Sequence, residues 1–315
     1  MPDRLGAPRA EPLFDRLTLV GIGLIGSSIA RAARQLNLAR TIVAVDRDDA
    51  VVERVRAIGI ADEATADLVA GVTGADHVIL CVPVGACGAV AAAMRDALKP
   101  GAIVSDVGSV KASVVAQVQP HLPEGVSFVP AHPVAGTEHS GPDAGFATLF
   151  LNRWCILTPP EGTDEGAIER VAAFWTAMGS NVEIMGAQHH DLVLAITSHV
   201  PHLIAYNIVG TAADLETVTQ SEVIKFSAGG FRDFTRIAAS DPTMWRDVFL
   251  HNKDAVLEML GRLNEDIALL ARAIRWGEGD KLHALFTRTR AIRRGIISSG
   301  QETAEPDFGR RRENP

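Results

Sequence analysis

Short apolar runs separated by amphipathic stretches fill the first half of the chain. Leu17–Val20, Thr41–Val45, Val78–Val82, Ala102–Ser105 and Val126–Val129 are each four or five residues long and rich in Val, Ile and Leu. A strand exposed on one face would alternate apolar and polar residues; near-continuous apolar runs predict strands covered on both. The spacing between them predicts helices, among them Leu24–Leu36 and Asp49–Ile58. Trp154–Leu157 and Val182–Ile184 read as later strands flanking a helix near Glu165–Met178. Strands alternating with helices in this way predict an α/β fold, a doubly wound and mainly parallel sheet.

After about residue 186 strand signals stop and helical periods take over. Val256, Leu260, Leu263, Ile267, Leu270 and Ile274 step by four, three, four, three and four residues, which lays one apolar stripe along a helix. Such a stripe is the seam of a bundle within the chain or a subunit interface, and a homodimer through these C-terminal helices is expected. The ends, 1–13 and 301–315, are polar, Pro-containing and aperiodic, and read as flexible tails. The expected division is therefore tail 1–13, α/β domain 14–185, all-α domain 186–300 and tail 301–315.

Composition narrows the classes of partner. At roughly 150 residues per domain, the 315-residue chain suits two domains. With 30 Lys and Arg against 38 Asp and Glu, the formal net charge of −8 argues against nucleic acid, whose phosphates reward clustered cations. The three cysteines, Cys81, Cys87 and Cys155, are too few and scattered for a disulfide framework, which suits a reducing cytoplasm. The apolar stretch Leu17–Ala30 is interrupted by glycines and preceded by Asp3, Glu11 and Asp15, so neither an export signal nor a membrane span is expected.

The first strand runs into Gly21-Ile22-Gly23-Leu24-Ile25-Gly26, which opens the first helix. In that context the glycines have separate tasks: a tight turn at 21, close backbone approach to a pyrophosphate at 23, and close helix–strand packing at 26. Asp46 ends the second strand, 20 residues after Gly26. Its carboxylate suits a ribose 2′-hydroxyl and repels a 2′-phosphate, so NAD is the expected cofactor, although Arg47 beside it is a group that holds phosphates; Asp46 as the cap of the next helix is the alternative. Val82-Pro83 ends a further strand and is expected to border the cofactor.

Ligands of open parallel sheets sit beyond the carboxyl ends of the strands, which singles out Ser109 in Asp106–Lys111 and His132 in Ala131–Glu138. Ser109 could also cap a helix. Pro133 biases His132 to an extended conformation, where its imidazole could take a proton from a hydroxyl or serve only a structural hydrogen bond. The helical half adds His189-His190-Asp191 and Ser198-His199-Val200-Pro201-His202. A metal at His199 and His202 is disfavoured, because no ligating cysteine or paired carboxylate lies near. Gly229-Gly230 precedes Arg232 and Arg236, as expected of a loop closing on an anion; Trp245 and Arg246 follow, and Asp233 and Asp247 could instead pair with the arginines.

Taken in order, Val20–Ser27, Asp106–Lys111, His132–Gly141, Ser198–His202, Gly229–Arg236 and Ser240–Asp247 make the chain resemble the prephenate and arogenate (cyclohexadienyl) dehydrogenases of tyrosine biosynthesis over about 17–298. The resemblance implies a Rossmann domain, a helical dimerisation domain, and NAD-dependent oxidative decarboxylation of a cyclohexadienol. It implies that His132 is the catalytic histidine at the ring hydroxyl and Ser109 its partner there. It further implies that Arg236 anchors the side-chain carboxylate while Ser198, His202, Trp245 and Arg232 line the pocket. Val200 stands where a leucine is usual, and Arg232 where some members carry lysine. A β-hydroxyacid-type dehydrogenase shares the layout, but its catalytic lysine signature is not found; a catalytically silent dinucleotide-binding protein is the other alternative.

Overall fold

The structure, a computed structural model, describes residues 5–137, 139–219 and 228–298. By compactness the chain divides into two units, the first running to Leu257 and the second beginning at Glu258.

The first unit is built on six parallel strands: β1 Phe14–Val20, β2 Ala39–Val45, β3 Glu63–Thr65, β4 His77–Leu80, β5 Ile103–Asp106 and β6 Ser127–Phe128. Their spatial order is β3-β2-β1-β4-β5-β6. The order therefore reverses between β1 and β4, and in such sheets the ligand crevice opens at that reversal. The connecting helices are α1 Leu24–Gln35, α2 Asp49–Ile58, α3 Leu68–Val72, α4 Cys87–Met94 and α5 Ala112–Val118.

The unbroken apolar runs have a direct cause. Ile42 and Ala44 belong to the core on one face of the sheet, and Val43 and Val45 to the core on the other. Successive residues point to opposite faces, and with both faces dry neither register position can be polar. Trp245 and Val248, from the helical half of the chain, complete the second of these cores.

The later strands form a sheet of their own, which corrects the expectation that they continue the first. β7 Ala131–Pro133, β8 Trp154–Leu157 and β9 Asn181–Ile184 are ordered β7-β8-β9. β7 runs antiparallel to β8, with His132 opposite Ile156, and β8 runs parallel to β9. Pro130 marks the change of partner: Val129 N–H still donates to Val104 at 2.9 Å, but Pro130 has no N–H to continue that ladder, and its carbonyl accepts from Thr158 instead (2.9 Å). β8, α6 (Glu165–Ala177) and β9 form a crossover unit of the same pattern as those in the main sheet, so periodicity alone does not separate them.

Further helices follow: α7 Ala187–Leu194, a turn of π-helix over Ala195–His199, α8 Val200–Thr219, α9 Gly229–Thr235, α10 Pro242–His251, α11 Lys253–Arg275 and α12 Gly279–Ser298. Gly229 and Gly230 thus open a helix rather than a loop; in a first turn glycine removes less than it does in a helix interior. The continuous run Ala187–Leu215 is long and apolar enough to cross a bilayer by length and composition. It also carries Asp191, His190 and His199, which are buried and hydrogen-bonded within the first unit. Residues 5–13 are irregular but anchored, Arg9 and Leu13 donating to the Leu36 and Leu38 carbonyls at 2.9 Å. The 301–315 tail, Glu138 and Ser227 lie outside the described residues.

Candidate active site

The glycine turn is shaped by close backbone contacts. Gly21 has φ +95°, and a Cβ there would stand 2.9 Å from the Cys81 carbonyl group and 3.1 Å from the Val82 side chain. A Cβ on Gly26 would fall 2.3 Å from the Gly21 carbonyl oxygen. Gly23 differs: nothing lies within 4 Å of where its Cβ would be. No side chain caps α1, and its first turn holds no acidic residue. The first N–H groups of the helix, those of Leu24 and Ile25 among them, thus face that open space with the positive end of the helix dipole.

Asp46 is held by two backbone groups, Ile22 N–H at 2.8 Å and Asp48 N–H at 3.1 Å. The cap of α2 is Asp48, which accepts from Ala50 N–H at 2.9 Å, so the capping alternative for Asp46 falls away. Uncapped amides, an open Gly23 and a fixed carboxylate at the end of β2 match the pyrophosphate and ribose of NAD. Pro83 and Arg47 are exposed beyond β4 and β2.

A buried cluster occupies the carboxyl edge of β5. The Lys111 ammonium pairs with Asp106 with neither side chain exposed, and also donates to the Ala131 carbonyl at 2.8 Å. That bond ties the first residue of β7 to the end of β5 and brings His132, the next residue, to the same sheet edge. His132 is 7% exposed. Its Nδ1 is 2.8 Å from His190 Nε2, and His190 Nδ1 is 2.8 Å from Asp191 Oδ1. Asp191 also accepts from the backbone of Lys111 (2.8 Å) and Ala112 (2.9 Å) at the start of α5.

Burial is the main influence on these rings. It holds His132 well below the usual imidazole value, and the charges of His190, Lys111 and His199 act in the same direction. His190 is lowered by burial against the opposing Asp191 carboxylate, and His199 is pushed down to about 4 by burial, partly offset by Asp191 and the Ser109 backbone. All three are therefore neutral imidazoles near pH 7.

A second group of residues adjoins them. The His202 ring stacks on Trp245 with centroids 3.7 Å apart, and Trp245 meets His199 edge-on at 6.1 Å. His202 Nδ1–H donates to the Ser198 carbonyl at 2.8 Å. Burial lowers His202, and the Arg236 charge lowers it further. Asn252 donates to the Asp191 carbonyl at 2.9 Å and lies 3.0 Å from His199 Nδ1.

The residues singled out from the sequence thus come together in large part. His199 bonds the Ser109 backbone, bears electrostatically on His132 and meets Trp245 edge-on; Trp245 stacks on His202, which bonds the Ser198 carbonyl and feels the Arg236 charge. Arg232 and Arg47 are exposed, and among the described residues neither has a hydrogen bond or ion pair to the cluster. Asp247 pairs with Arg246 at 2.7 Å. Sequence reasoning named His190 and Asp191 without giving them a task, weighed His199 only as a disfavoured metal ligand, and missed Asn252. A buried carboxylate acting through a neighbouring ring has no spacing signature, and an asparagine at a helix junction reads as a surface cap.

Comparison with known proteins gives consistent results. The model of the prephenate dehydrogenase nucleotide-binding domain matches residues 29–184, and that of the prephenate dehydrogenase dimerization domain matches residues 186–288. The cyclohexadienyl dehydrogenase of Zymomonas mobilis is 44% identical over 281 residues, 89% of this chain and 96% of that protein. The prephenate dehydrogenase of Bacillus subtilis is 32% identical over 283 residues, 90% of this chain and 76% of that protein. Among solved structures, prephenate dehydrogenase from A. aeolicus in complex with hydroxyphenyl propionate and NAD+ superposes with a TM-score of 0.84 at 32% identity, covering 90% of this chain and 98% of that one.

Proposed function

The chain belongs to the prephenate dehydrogenase family, and from that premise we propose how its own residues perform NAD-dependent oxidative decarboxylation of prephenate, of arogenate or of both. The product is 4-hydroxyphenylpyruvate from prephenate and tyrosine from arogenate. The observation that carries the reading is His132: a buried, neutral imidazole at the carboxyl edge of the nucleotide-binding sheet, one nitrogen engaged by His190 and the other left for a substrate.

When bound, NAD accepts the hydride that leaves ring C4. The Gly21–Gly26 turn and the first amides of α1 would hold its pyrophosphate, Asp46 would take a ribose hydroxyl, and Val82-Pro83 would border the cofactor. His132 accepts the C4 hydroxyl proton as the C–O bond gains carbonyl character. The C1–carboxylate bond then breaks to release CO2, its electron pair aromatises the ring, and the phenolate oxygen takes the proton back from His132. Ser109 hydrogen-bonds the same oxygen and orients it. Arg236 binds the side-chain carboxylate with its planar fork, and Ser198, His202, Trp245 and Arg232 border that end of the pocket.

In this reading, residues 14–185 hold the cofactor, and residues 186–300 hold the substrate and pair two copies through the C-terminal helices. It is a cytoplasmic enzyme of tyrosine biosynthesis acting on small molecules. The test is a kinetic matrix of prephenate and arogenate with NAD and NADP, run on the wild type and on His132→Asn. NADH should form with at least one of the two substrates. The variant should lose about 10²–10⁴-fold in kcat, the usual contribution of a general base, and bind NAD as before. Normal turnover by His132→Asn would remove the assignment.

A further inference from the structure

We propose that His190 and Asp191 are positioning residues that lock His132 in the tautomer protonated at Nδ1, so that Nε2 faces the substrate hydroxyl as a lone pair. This rests on the reading of His132 as the base.

The hydrogen atoms are assigned outward from the carboxylate. Asp191 can only accept, so His190 Nδ1, 2.8 Å from Oδ1, carries the hydrogen. A neutral His190 then has its lone pair on Nε2. His132 Nδ1 lies 2.8 Å from that lone pair and must donate to it. With Nδ1 protonated, the neutral His132 ring has its only basic nitrogen at Nε2; which nitrogen is basic is set by the bond the other one makes.

The anchor at the end of the relay is rigid. Lys111 N–H and Ala112 N–H hold the two Asp191 oxygens, and Asn252 Nδ2 holds the Asp191 carbonyl. The carboxylate cannot rotate away without uncapping α5. The groups facing His190 act against charging it before the reaction: burial and the Lys111 ammonium disfavour a cation there, while Asp191 and Asp106 favour one. A protonated His190 would donate from Nε2, turn His132 Nδ1 into an acceptor and place the hydrogen on Nε2, leaving no base. Once His132 has taken the substrate proton, its Nδ1–H bond becomes charge-assisted and passes part of the positive charge towards Asp191.

Three variants test the relay. Asp191→Asn removes an α5 cap as well and can fail by misfolding, so the comparison is between His190→Phe, which fills the space without an acceptor, and His190→Gln, whose amide oxygen can accept the same proton. His190→Phe is expected to lower kcat about 10–100-fold, the range for loss of an outer partner of a functional histidine. Its substrate KM and NAD Kd should stay within about threefold of wild type, its acid limb of kcat should move to lower pH, and His190→Gln should recover at least about threefold of the loss. ¹⁵N-histidine NMR of the wild type should show His132 protonated at Nδ1 and bare at Nε2, a pattern lost in His190→Phe.

Turnover by His190→Phe equal to or above that of His190→Gln would make the residue a packing element and overturn the proposal, as would a wild-type spectrum with the hydrogen on Nε2. The third variant, His132→Asn, separates the two levels. If it is inactive and His190→Phe adds nothing in its background, both readings stand. If it is inactive while His190→Phe alone turns over normally, only the relay falls. If His132→Asn itself is active, the base assignment falls first.

Discussion

At the scale of single residues, the glycine turn separates folding from binding more cleanly than its motif suggests. A methyl at position 26 would sit 2.3 Å from the Gly21 carbonyl oxygen, a backbone atom that cannot swing aside. Gly26→Ala should therefore force α1 away from the turn and destabilise the fold by about 1–3 kcal/mol, the range for overpacking. A methyl at position 23 meets nothing, and the φ of −89° at Gly23 is one that alanine adopts readily. Gly23→Ala should leave the melting temperature within about 1–2 °C of wild type, as expected of a change under ~0.5 kcal/mol. It should still weaken NAD binding at least about tenfold, because the methyl occupies the space left for the pyrophosphate. Thermal melts and NAD titration of both variants check the split. Equal damage to stability by the two substitutions would mean that Gly23 serves the turn and not the ligand.

At the scale of elements, what the sequence made legible was whatever depends on local pattern. The strands of the main sheet and the glycine turn were readable because a strand dry on both faces and a βα phosphate loop each carry a local signature. β3, with Glu63 and Thr65 at an edge, has no apolar run and left no trace. The second sheet was invisible because β8–α6–β9 repeats the pattern of the first, and only the antiparallel pairing of β7 sets it apart. The site was half legible for the same reason: His132 lies in a short strand and Ser109 just beyond one, whereas the Asp191 bridge to α5 spans 80 residues of sequence. The apolar stripe on α11 was legible in spacing but not in purpose. Val256 is buried, whereas Ile267 and Ile274 are 50% and 68% exposed, and Trp276, Phe286 and Ile292 are exposed beyond them. Apolar side chains left exposed in such number along consecutive helices mark an interaction surface, which agrees with the dimerization-domain match over 186–288. Ile274→Glu should be close to neutral for an isolated chain, as surface changes are, yet convert the proposed dimer to a monomer at micromolar concentration in sedimentation experiments. A wild type that sediments as a monomer under those conditions would return the stripe to the role of an internal seam.

At the scale of the whole molecule, the histidines couple catalysis and stability to acid through separate groups. His77 is the first residue of β4 and has no exposed surface, its Nε2 2.9 Å from Ser105 Oγ and its ring against Phe14 and Phe174. Burial pushes it down to about 3, with the Arg170 charge acting in the same direction and Asp76 opposing. An unfolded chain binds a proton at this residue at about pH 6.5, so below that pH the unfolded state holds more protons than the folded one. The sign is then fixed: the stability that the neutral His77 contributes is complete above about pH 6.5 and declines as pH falls towards 3. Between pH 7 and 4.5 the loss from this one group is about 2–3 kcal/mol. His132, His190, His199 and His202, all lowered, add to it in the same direction. If His132 is the base it must be neutral to act, so activity is also expected to fall in acid, and a loss of rate there then has two causes that a rate alone does not separate. His77→Leu separates them, since it removes a titrating group remote from the proposed base. At pH 7 the variant should be less stable than wild type, having stranded the Ser105 hydroxyl. By pH 4.5 that deficit should shrink by about 2–3 kcal/mol in urea titrations, while the pH dependence of kcat stays where it was. A deficit that does not change between the two pH values would mean that His77 is not a source of the acid sensitivity, and that the cost of acid falls on the catalytic cluster instead.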